Sequence, residues 1–140
     1  MPEKLVIDCS VATKWILNEP GRVLAMRLLE RWQSGEILLI APDLLLAEFA
    51  SLLAKRNRRN ELNEQQSKQA YQLMVRSSPI LYDMRPFLPF ALDLSLQHQL
   101  SLWDAVYLAL AIEHNCSLIT ADARLFRSGK THHPAIKLLA

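Results

Sequence analysis

Two aspartates stand where a carboxylate can take part in chemistry. Asp8 closes an apolar run at residues 4–8, and Asp122 follows a similar run at residues 117–120. Both runs are typical of short buried strands. In open parallel sheets, ligands bind beyond the carboxyl ends of the strands, near the point where the strand order reverses. If the two strands are neighbours, both carboxylates face one crevice. The alternative for either residue is a helix N-cap, a position at which aspartate is favoured.

Glu48 is a third candidate because it interrupts an otherwise apolar helical segment at residues 44–53. A glutamate that is buried without a partner lowers the stability of the folded protein. This position therefore indicates that Glu48 either has a function or reaches solvent. Ser51 and Lys55 share its helical face, and a surface contact with one of them is the alternative.

Asp104 is the fourth candidate, and it is the last residue of the capping pattern that begins at Ser101. A side chain in the first helical turn is directed back toward the N-terminus of the helix. The loop that leaves the sheet lies there, so capping and metal binding are compatible at this position.

A sparse set of carboxylates is suited to Mg²⁺ or Mn²⁺, because such hard cations take oxygen ligands and retain several waters. Softer metals favour histidine or cysteine. Cys9 and Cys116 follow no metal-binding spacing, and Cys9 is expected to be a small buried thiol. The histidines offer no suitable spacing either; they are His98, His114, and the pair His132 and His133 in a predicted loop.

Cations and aromatic residues supply the remaining candidates. The net charge of +2 tolerates a polyanionic partner without requiring one. The basic run at residues 55–59 is interpreted either as phosphate-binding or as a complement to the negative end of a helix dipole. The expected phosphate contacts are Lys55, Arg56, Arg124, Arg127 and Lys130. The three tryptophans, Trp15, Trp32 and Trp103, are expected in the core or at an interface rather than as base-stacking platforms.

The elements that must position these residues alternate along the chain. Strands are predicted at residues 4–8, 37–40, 79–82 and 117–120, with an edge strand at 136–139. Helices are predicted at residues 10–17, 22–33, 63–77, 89–99 and 102–115, and another begins at Pro42 and ends near residue 58. This order predicts an α/β domain with a parallel sheet. A chain of 140 residues, 51% of them hydrophobic, is expected to form a single domain over residues 1–140.

Targeting features are not evident in the sequence. The N-terminus resembles no signal peptide, and no apolar stretch approaches the roughly 20 residues of a membrane span. We therefore expect a cytoplasmic protein with no membrane partner.

Four segments resemble the acidic motifs of PIN domains, and the VapC toxins of toxin–antitoxin pairs are the most similar group. The segments are residues 7–10, 42–48, 102–111 and 118–125. The resemblance implies a five-stranded parallel sheet of order 3-2-1-4-5 and a divalent-metal ribonuclease. It also implies a homodimer and a VapB-like antitoxin, with an antitoxin segment covering the acidic crevice.

The resemblance also implies roles for individual residues. Asp8 and Asp104 occupy the positions of the most direct Mg²⁺ or Mn²⁺ ligands, and Glu48 and Asp122 occupy those of the second pair. Ser10, Ser51 and Thr120 are expected to support these acids. Many members have asparagine where this chain has Ser51, so the support of Glu48 differs in detail.

Hydrolysis of RNA by metal-activated water is the expected reaction, and it leaves 5′-phosphate and 3′-hydroxyl ends. An inactive PIN module that only binds RNA or a protein is the alternative. An aspartyl-phosphate phosphatase is disfavoured because the second acid such enzymes need is replaced by Ser10. A dinucleotide-binding protein is disfavoured because the three glycines form no glycine-rich motif.

Overall fold

The computed structural model describes residues 2–130 and 133–140. Five parallel strands form one sheet in the order β3-β2-β1-β4-β5, which confirms the predicted topology. The strands are β1 (Glu3–Ile7), β2 (Ile37–Pro42), β3 (Ile80–Tyr82), β4 (Ser117–Thr120) and β5 (Ile136–Leu138).

Helices connect all successive strands. They are α1 (Cys9–Ile16), α2 (Arg22–Gln33), α3 (Leu44–Arg58), α4 (Glu64–Ser77), α5 (Leu88–His98), α6 (Leu102–Glu113) and α7 (Ala123–Gly129). The start of α4 was predicted from a capping box, and the Asn63 and Gln66 side chains each accept the other's backbone N–H there.

The helix α6 forms the centre of one layer. It packs against β1, β2 and β4, with α5 behind it. All residues from Ala105 to Ala111 are buried, as expected for a helix that is apolar on every side. The first four helices contact one another and cover the other face, since right-handed connections change face when the strand order reverses.

The strand order reverses between β1 and β4. Ile7 on β1 lies opposite Ile119 on β4, and the Asp8 N–H donates to the Ile119 carbonyl at 3.3 Å. This is the arrangement that opens a crevice beyond the carboxyl ends of two strands. It confirms the pairing on which the prediction of a shared crevice depended.

One sequence-based expectation about local structure was wrong. Pro42 does not begin a helix: it closes β2 opposite Tyr82, and α3 begins at Leu44. A proline fits there because β2 continues to pair with β3 without needing the proline N–H. The helix α7 had not been predicted, since seven residues contain too little periodicity to indicate a helix. Trp103 is 52% exposed; of the two locations expected for it, the core is excluded and an interface stays a prediction.

Two further findings complete the description. Within residues 2–130 and 133–140, no helix is long and apolar enough to cross a membrane. His132, which had been expected in a loop, lies outside the described residues.

Candidate active site

Asp8 lies where β1 ends and α1 begins, and it is one of the few buried charged side chains in the described part of the chain. It is the N-cap of α1, and its Oδ1 accepts the Val11 N–H at 3.3 Å. The predicted alternative, a capping role, is therefore present. It does not exclude a catalytic role, because the second carboxylate oxygen is directed elsewhere.

Two hydroxyls bind the Asp8 carboxylate. Ser10 Oγ donates to Oδ1 and Thr120 Oγ1 donates to Oδ2, each at 2.5 Å. Ser10 in turn accepts the Ala121 N–H at 2.9 Å, and Thr120 accepts the Asp122 N–H at 3.0 Å. An ionised carboxylate only accepts, so both hydroxyls must donate to it and accept from the backbone. The network joins Asp8 to the loop that carries Asp122.

Burial raises the pKa of Asp8 from its ordinary value to about 6. The hydrogen bonds from Ser10, Thr120 and Val11 oppose that shift, and the charge of Asp104 adds slightly to it. Removal from water thus disfavours the charged form more than neighbouring acids do.

Glu48 projects from α3 and is half-buried. Its Oε1 accepts the Tyr107 hydroxyl of α6 at 2.6 Å, and Tyr107 is 2% exposed. Burial raises the pKa of Glu48, and the charges of Asp8 and Asp104 raise it further, while the tyrosine hydrogen bond lowers it. Neither surface contact considered for Glu48 is the one that forms.

Tyr107 is a site residue that sequence reasoning missed. The available signal was its position one turn after Asp104 in an otherwise aliphatic stretch of α6. A buried phenol hydroxyl needs a hydrogen-bond partner, so a tyrosine in such a stretch indicates a polar group nearby. Ser51 is exposed and makes no hydrogen bond to Glu48 within the described chain.

Asp104 lies in the first turn of α6, as predicted. Its backbone N–H donates to Ser101 Oγ at 3.1 Å, which caps the helix. Burial raises the pKa of Asp104, and the charge of Asp122 adds to this, whereas Arg124 opposes it. Asp104 is thus within electrostatic reach of another predicted acid and of a predicted phosphate-binding cation.

Asp122 is the N-cap of α7 and accepts the backbone N–H groups of Arg124 and Leu125. The N-cap role, which was the alternative considered for Asp122, is therefore also present. The electrostatic couplings connect the four acids, since Asp104 is coupled to Asp8, Glu48 and Asp122. The fold therefore brings within electrostatic range of one another carboxylates that are separated by up to 114 positions in the sequence.

The donors at this crevice fit a hard divalent cation. They are carboxylate oxygens with hydroxyls behind them, the set that Mg²⁺ and Mn²⁺ prefer. The adjacent thiol of Cys9 does not compete, because burial raises its pKa to about 12 and keeps it protonated. In residues 2–130 and 133–140, no three acidic, histidine or cysteine side chains converge tightly enough to hold an ion as they stand.

The predicted phosphate-binding cations differ in their surroundings. Arg56 donates to Glu19 at 2.5 Å and lies 3.5 Å from Glu61, and Lys14 also pairs with Glu19 at 3.3 Å. These contacts tie α3 to the loop between α1 and α2 and favour a structural role for Arg56. By contrast, Lys55, Arg124 and Arg127 form no ion pair in the part of the chain that the structure describes.

Comparison with known proteins gives a consistent result. The family model described as PIN domain matches residues 5–130. A VapC ribonuclease of Mycobacterium bovis, Mb0985, is 32% identical over 130 residues, which span 93% of this chain and 94% of that protein.

Two crystal structures share the fold. PAE2754 from Pyrobaculum aerophilum superimposes with a TM-score of 0.71 at 16% identity, covering 99% of this chain and 92% of that one. VapBC2 from Rickettsia felis, bound to a DNA fragment from its promoter, superimposes with a TM-score of 0.66 at 16% identity, covering 96% of each chain. At this level of identity the superpositions establish the architecture alone.

Proposed function

Since this chain belongs to the PIN-domain family, we propose that it is an endoribonuclease of the VapC toxin type. Asp8, Glu48, Asp104 and Asp122 are proposed as its catalytic residues. The observation that carries the proposal is their placement at the point where the strand order reverses, with three of the four pKa values raised. Acids whose pKa values are raised by burial and by neighbouring carboxylates are typical of a functional site.

We propose that Mg²⁺ or Mn²⁺ is the cofactor, held by these four carboxylates. Asp8 and Asp104 are proposed as the more direct ligands, and Glu48 and Asp122 as ligands that bind directly or through water. When bound, such an ion supplies an activated water and stabilises charge on the phosphate. The protein's own contribution is to hold the carboxylates in place: Ser10 and Thr120 orient Asp8, and Tyr107 orients Glu48.

The reaction consistent with this site is hydrolysis by water rather than attack by the neighbouring 2′-hydroxyl. Hydrolysis of this kind leaves a 5′-phosphate and a 3′-hydroxyl. Arg124 is well placed to contact an RNA phosphate because it interacts with Asp104 and has no ion-pair partner in the described chain. Lys55 and Arg127 are proposed as weaker contacts of the same kind.

We further propose that a VapB-like antitoxin neutralises the protein and that the protein forms a homodimer. The VapBC2 structure from Rickettsia felis supports the first proposal, because it pairs a similar fold with its partner. Exposed apolar side chains on α2 and α4, including Val23, Leu73 and Val75, support the second. Both cysteines are free, in keeping with action in a reducing cytoplasm, where RNA is available.

Metal-dependent cleavage by the purified, antitoxin-free protein is the test of this function. We expect single-stranded RNA to be cut in Mg²⁺ or Mn²⁺, to remain intact in excess EDTA, and to be cut again when Mg²⁺ is restored. Ca²⁺ should restore little activity, because it favours a larger and looser ligand shell. End-group analysis should find 5′-phosphates on the products.

Two results would decide against the proposal. Full cleavage in EDTA would exclude the metal-dependent reaction, and binding of RNA with no cleavage under any metal would indicate an inactive PIN module. Asp104→Asn, prepared in the same way, is the control for a contaminating nuclease. Cleavage that depends on the proposed site should be lost in this variant, whereas cleavage by a contaminant should remain.

A further inference from the structure

A groove lined by an exposed tryptophan lies beside the proposed catalytic acids, because Glu48 lines it and Trp103 precedes Asp104 in the chain. It has a volume of about 540 Å³, within the range of roughly 300–1,000 Å³ typical of small-molecule sites. Its apolar lining consists of Leu44, Ala47 and Leu52 of α3 together with Trp103 of α6. Glu48 and Lys55 supply its charged lining.

Trp103 is unusual in its degree of exposure. More than half of its side chain, 52%, is open to solvent, whereas Trp15 is 5% exposed and donates its indole N–H to the Ala25 carbonyl. Trp103 immediately precedes Asp104, so its position relative to the catalytic acids is fixed by the first turn of α6. A large planar side chain held beside a reaction centre is available to a ligand rather than to the core.

The charges of the groove distinguish among the ligands that such a surface could accept. Glu48 lines the groove and lies within electrostatic range of Asp8 and Asp104, so an occupant of the groove is close to the proposed reaction centre. Lys55 lies one turn beyond Ser51 on the same helix and has no ion-pair partner in the described chain. A purely apolar peptide would leave Lys55 uncompensated, whereas a nucleotide offers both an apolar face and a phosphate.

We propose that this groove is a nucleobase subsite, in which the base of a nucleotide flanking the scissile phosphate stacks on the indole of Trp103. Lys55 contacts the backbone phosphate of the same nucleotide. The inference rests on the proposed ribonuclease function and adds to it the way in which single-stranded RNA is held. Stacking on aromatic side chains combined with nearby cations is the usual means by which proteins bind single-stranded RNA.

The subsite is expected to be tolerant of sequence. Every base has a face that stacks, and Ser51 is the single neutral polar side chain among the residues that line the groove in the described chain. Purines offer the larger stacking area, so a modest preference for a purine at the stacked position follows.

The experiment combines protein variants with an altered substrate. An oligoribonucleotide that the wild-type protein cleaves at one position is prepared with an abasic residue at each flanking position in turn. Steady-state cleavage is measured for the wild type, Trp103→Phe and Trp103→Leu. Leu96→Ala is the control, because Leu96 is 73% exposed and lies outside the groove.

Trp103→Leu should raise KM about tenfold while kcat and Mn²⁺ affinity stay near the wild-type values. Trp103→Phe keeps an aromatic face and should retain most of the affinity, and Leu96→Ala should match the wild type. One abasic position should raise the KM of the wild type by a similar factor but should not raise that of Trp103→Leu any further. Equal melting temperatures of the variants would show that the fold is intact.

Contrary results separate this inference from the proposed function. An equal penalty from every abasic substrate in the wild type and in Trp103→Leu overturns the stacking subsite alone. The stacking subsite alone is also overturned if Trp103→Leu keeps the wild-type KM but weakens dimerisation or antitoxin binding. Trp103 would then be a protein contact. Failure of the wild type to cleave any RNA overturns the ribonuclease function, and this subsite with it.

Discussion

The Asp8 carboxylate combines a structural contact with a raised pKa. It caps α1 and binds two hydroxyls, yet burial holds its pKa at about 6. A carboxylic acid whose pKa is raised on folding stabilises the protein fully below its unfolded pKa, near 4. That stability is lost as the pH rises through about 6.

Asp8→Asn should therefore change stability in a pH-dependent way. Asparagine can retain the helix cap and carries no charge, although its NH₂ group cannot accept from one of the two hydroxyls. Relative to wild type, the variant should gain on the order of 3 kcal/mol in unfolding free energy between pH 4 and pH 7. Denaturant unfolding of the metal-free proteins at several pH values measures this gain.

The same variant should lose activity and its response to metal. Cleavage should fall by more than the roughly 10- to 100-fold that follows loss of an outer partner of a ligand. Added Mg²⁺ should raise the melting temperature of the wild type by linkage, and that of Asp8→Asn by less. An unchanged Mg²⁺ response combined with a lower metal-free stability would show that Asp8 is a structural cap only.

We expect Tyr107 to position Glu48, because its hydroxyl donates to Glu48 Oε1 at 2.6 Å. Tyr107→Phe removes one hydroxyl and keeps the buried ring, so a free Glu48 carboxylate should adopt more than one orientation. We expect Mn²⁺ affinity, measured by calorimetry, to fall roughly tenfold, and cleavage at subsaturating metal to fall with it.

Two comparisons isolate the Tyr107 hydrogen bond. Tyr71→Phe, on α4, is the matched control and should leave Mn²⁺ binding unchanged. In a Glu48→Gln background, Tyr107→Phe should have little further effect on metal affinity, because the two residues act as a unit. Additive losses would show that the tyrosine acts on something other than Glu48.

Among the three cations of α3, Lys55 and Arg56 have different surroundings. Lys55 forms no ion pair in the described chain and can contact a phosphate. Arg56, by contrast, joins α3 to the loop between α1 and α2 through Glu19. Arg56→Ala should therefore lower the unfolding free energy, by about 1 kcal/mol, and leave the salt dependence of RNA binding unchanged. Arg58→Ala, on the same helix and without an ion pair in the described chain, should leave stability unchanged.

Arg124, at the start of α7, should affect RNA binding rather than stability, in contrast to Arg56. Arg124→Ala removes a cation near Asp104 that makes no ion pair in the described chain. RNA affinity should decrease, and the slope of log K against log salt should become shallower by about one unit, while stability stays the same. If Arg56→Ala instead changes the slope and Arg124→Ala does not, their assigned roles must be exchanged.

The protein as a whole is expected to be a homodimer that uses the exposed side of α2 and α4. Leu73 and Val75 on α4 are 47% and 44% exposed, and burial of such side chains would stabilise an interface. Light scattering should give twice the chain mass of 16.0 kDa. Leu73→Glu should shift the mass toward the monomer, because a charge would be buried at the interface.

The choice of dimer face can be checked with a second variant. Leu96→Glu changes a more exposed leucine, on α5, and should leave the dimer intact. A wild-type protein that remains monomeric at micromolar concentration would contradict the dimer. Dissociation by Leu96→Glu alone would place the interface on α5.

Local patterns were sufficient to predict most elements and a parallel sheet, whereas the strand order was predicted from the resemblance to PIN domains. Apolar runs marked the strands, and the capping residues at Asn63 and Ser101 marked the starts of α4 and α6. These signals are local, because a strand that is buried on both faces and a capped helix each leave a mark in consecutive residues. The positions of Asp8 and Asp122 beyond two strands followed from the same runs.

Contacts between distant segments could not be predicted in this way. Nothing in the neighbourhood of Glu48 indicates that its partner is Tyr107, which is 59 positions away and on another helix. The same is true of the Thr120 hydroxyl on Asp8 and of the ion pair between Arg56 and Glu19. The exposure of Trp103 also depends on packing, since an apolar helix does not show which of its faces lacks a neighbour. Residue types and spacing thus identified the acids, whereas burial and the partners that orient them arose only when β1, β4, α3 and α6 came together.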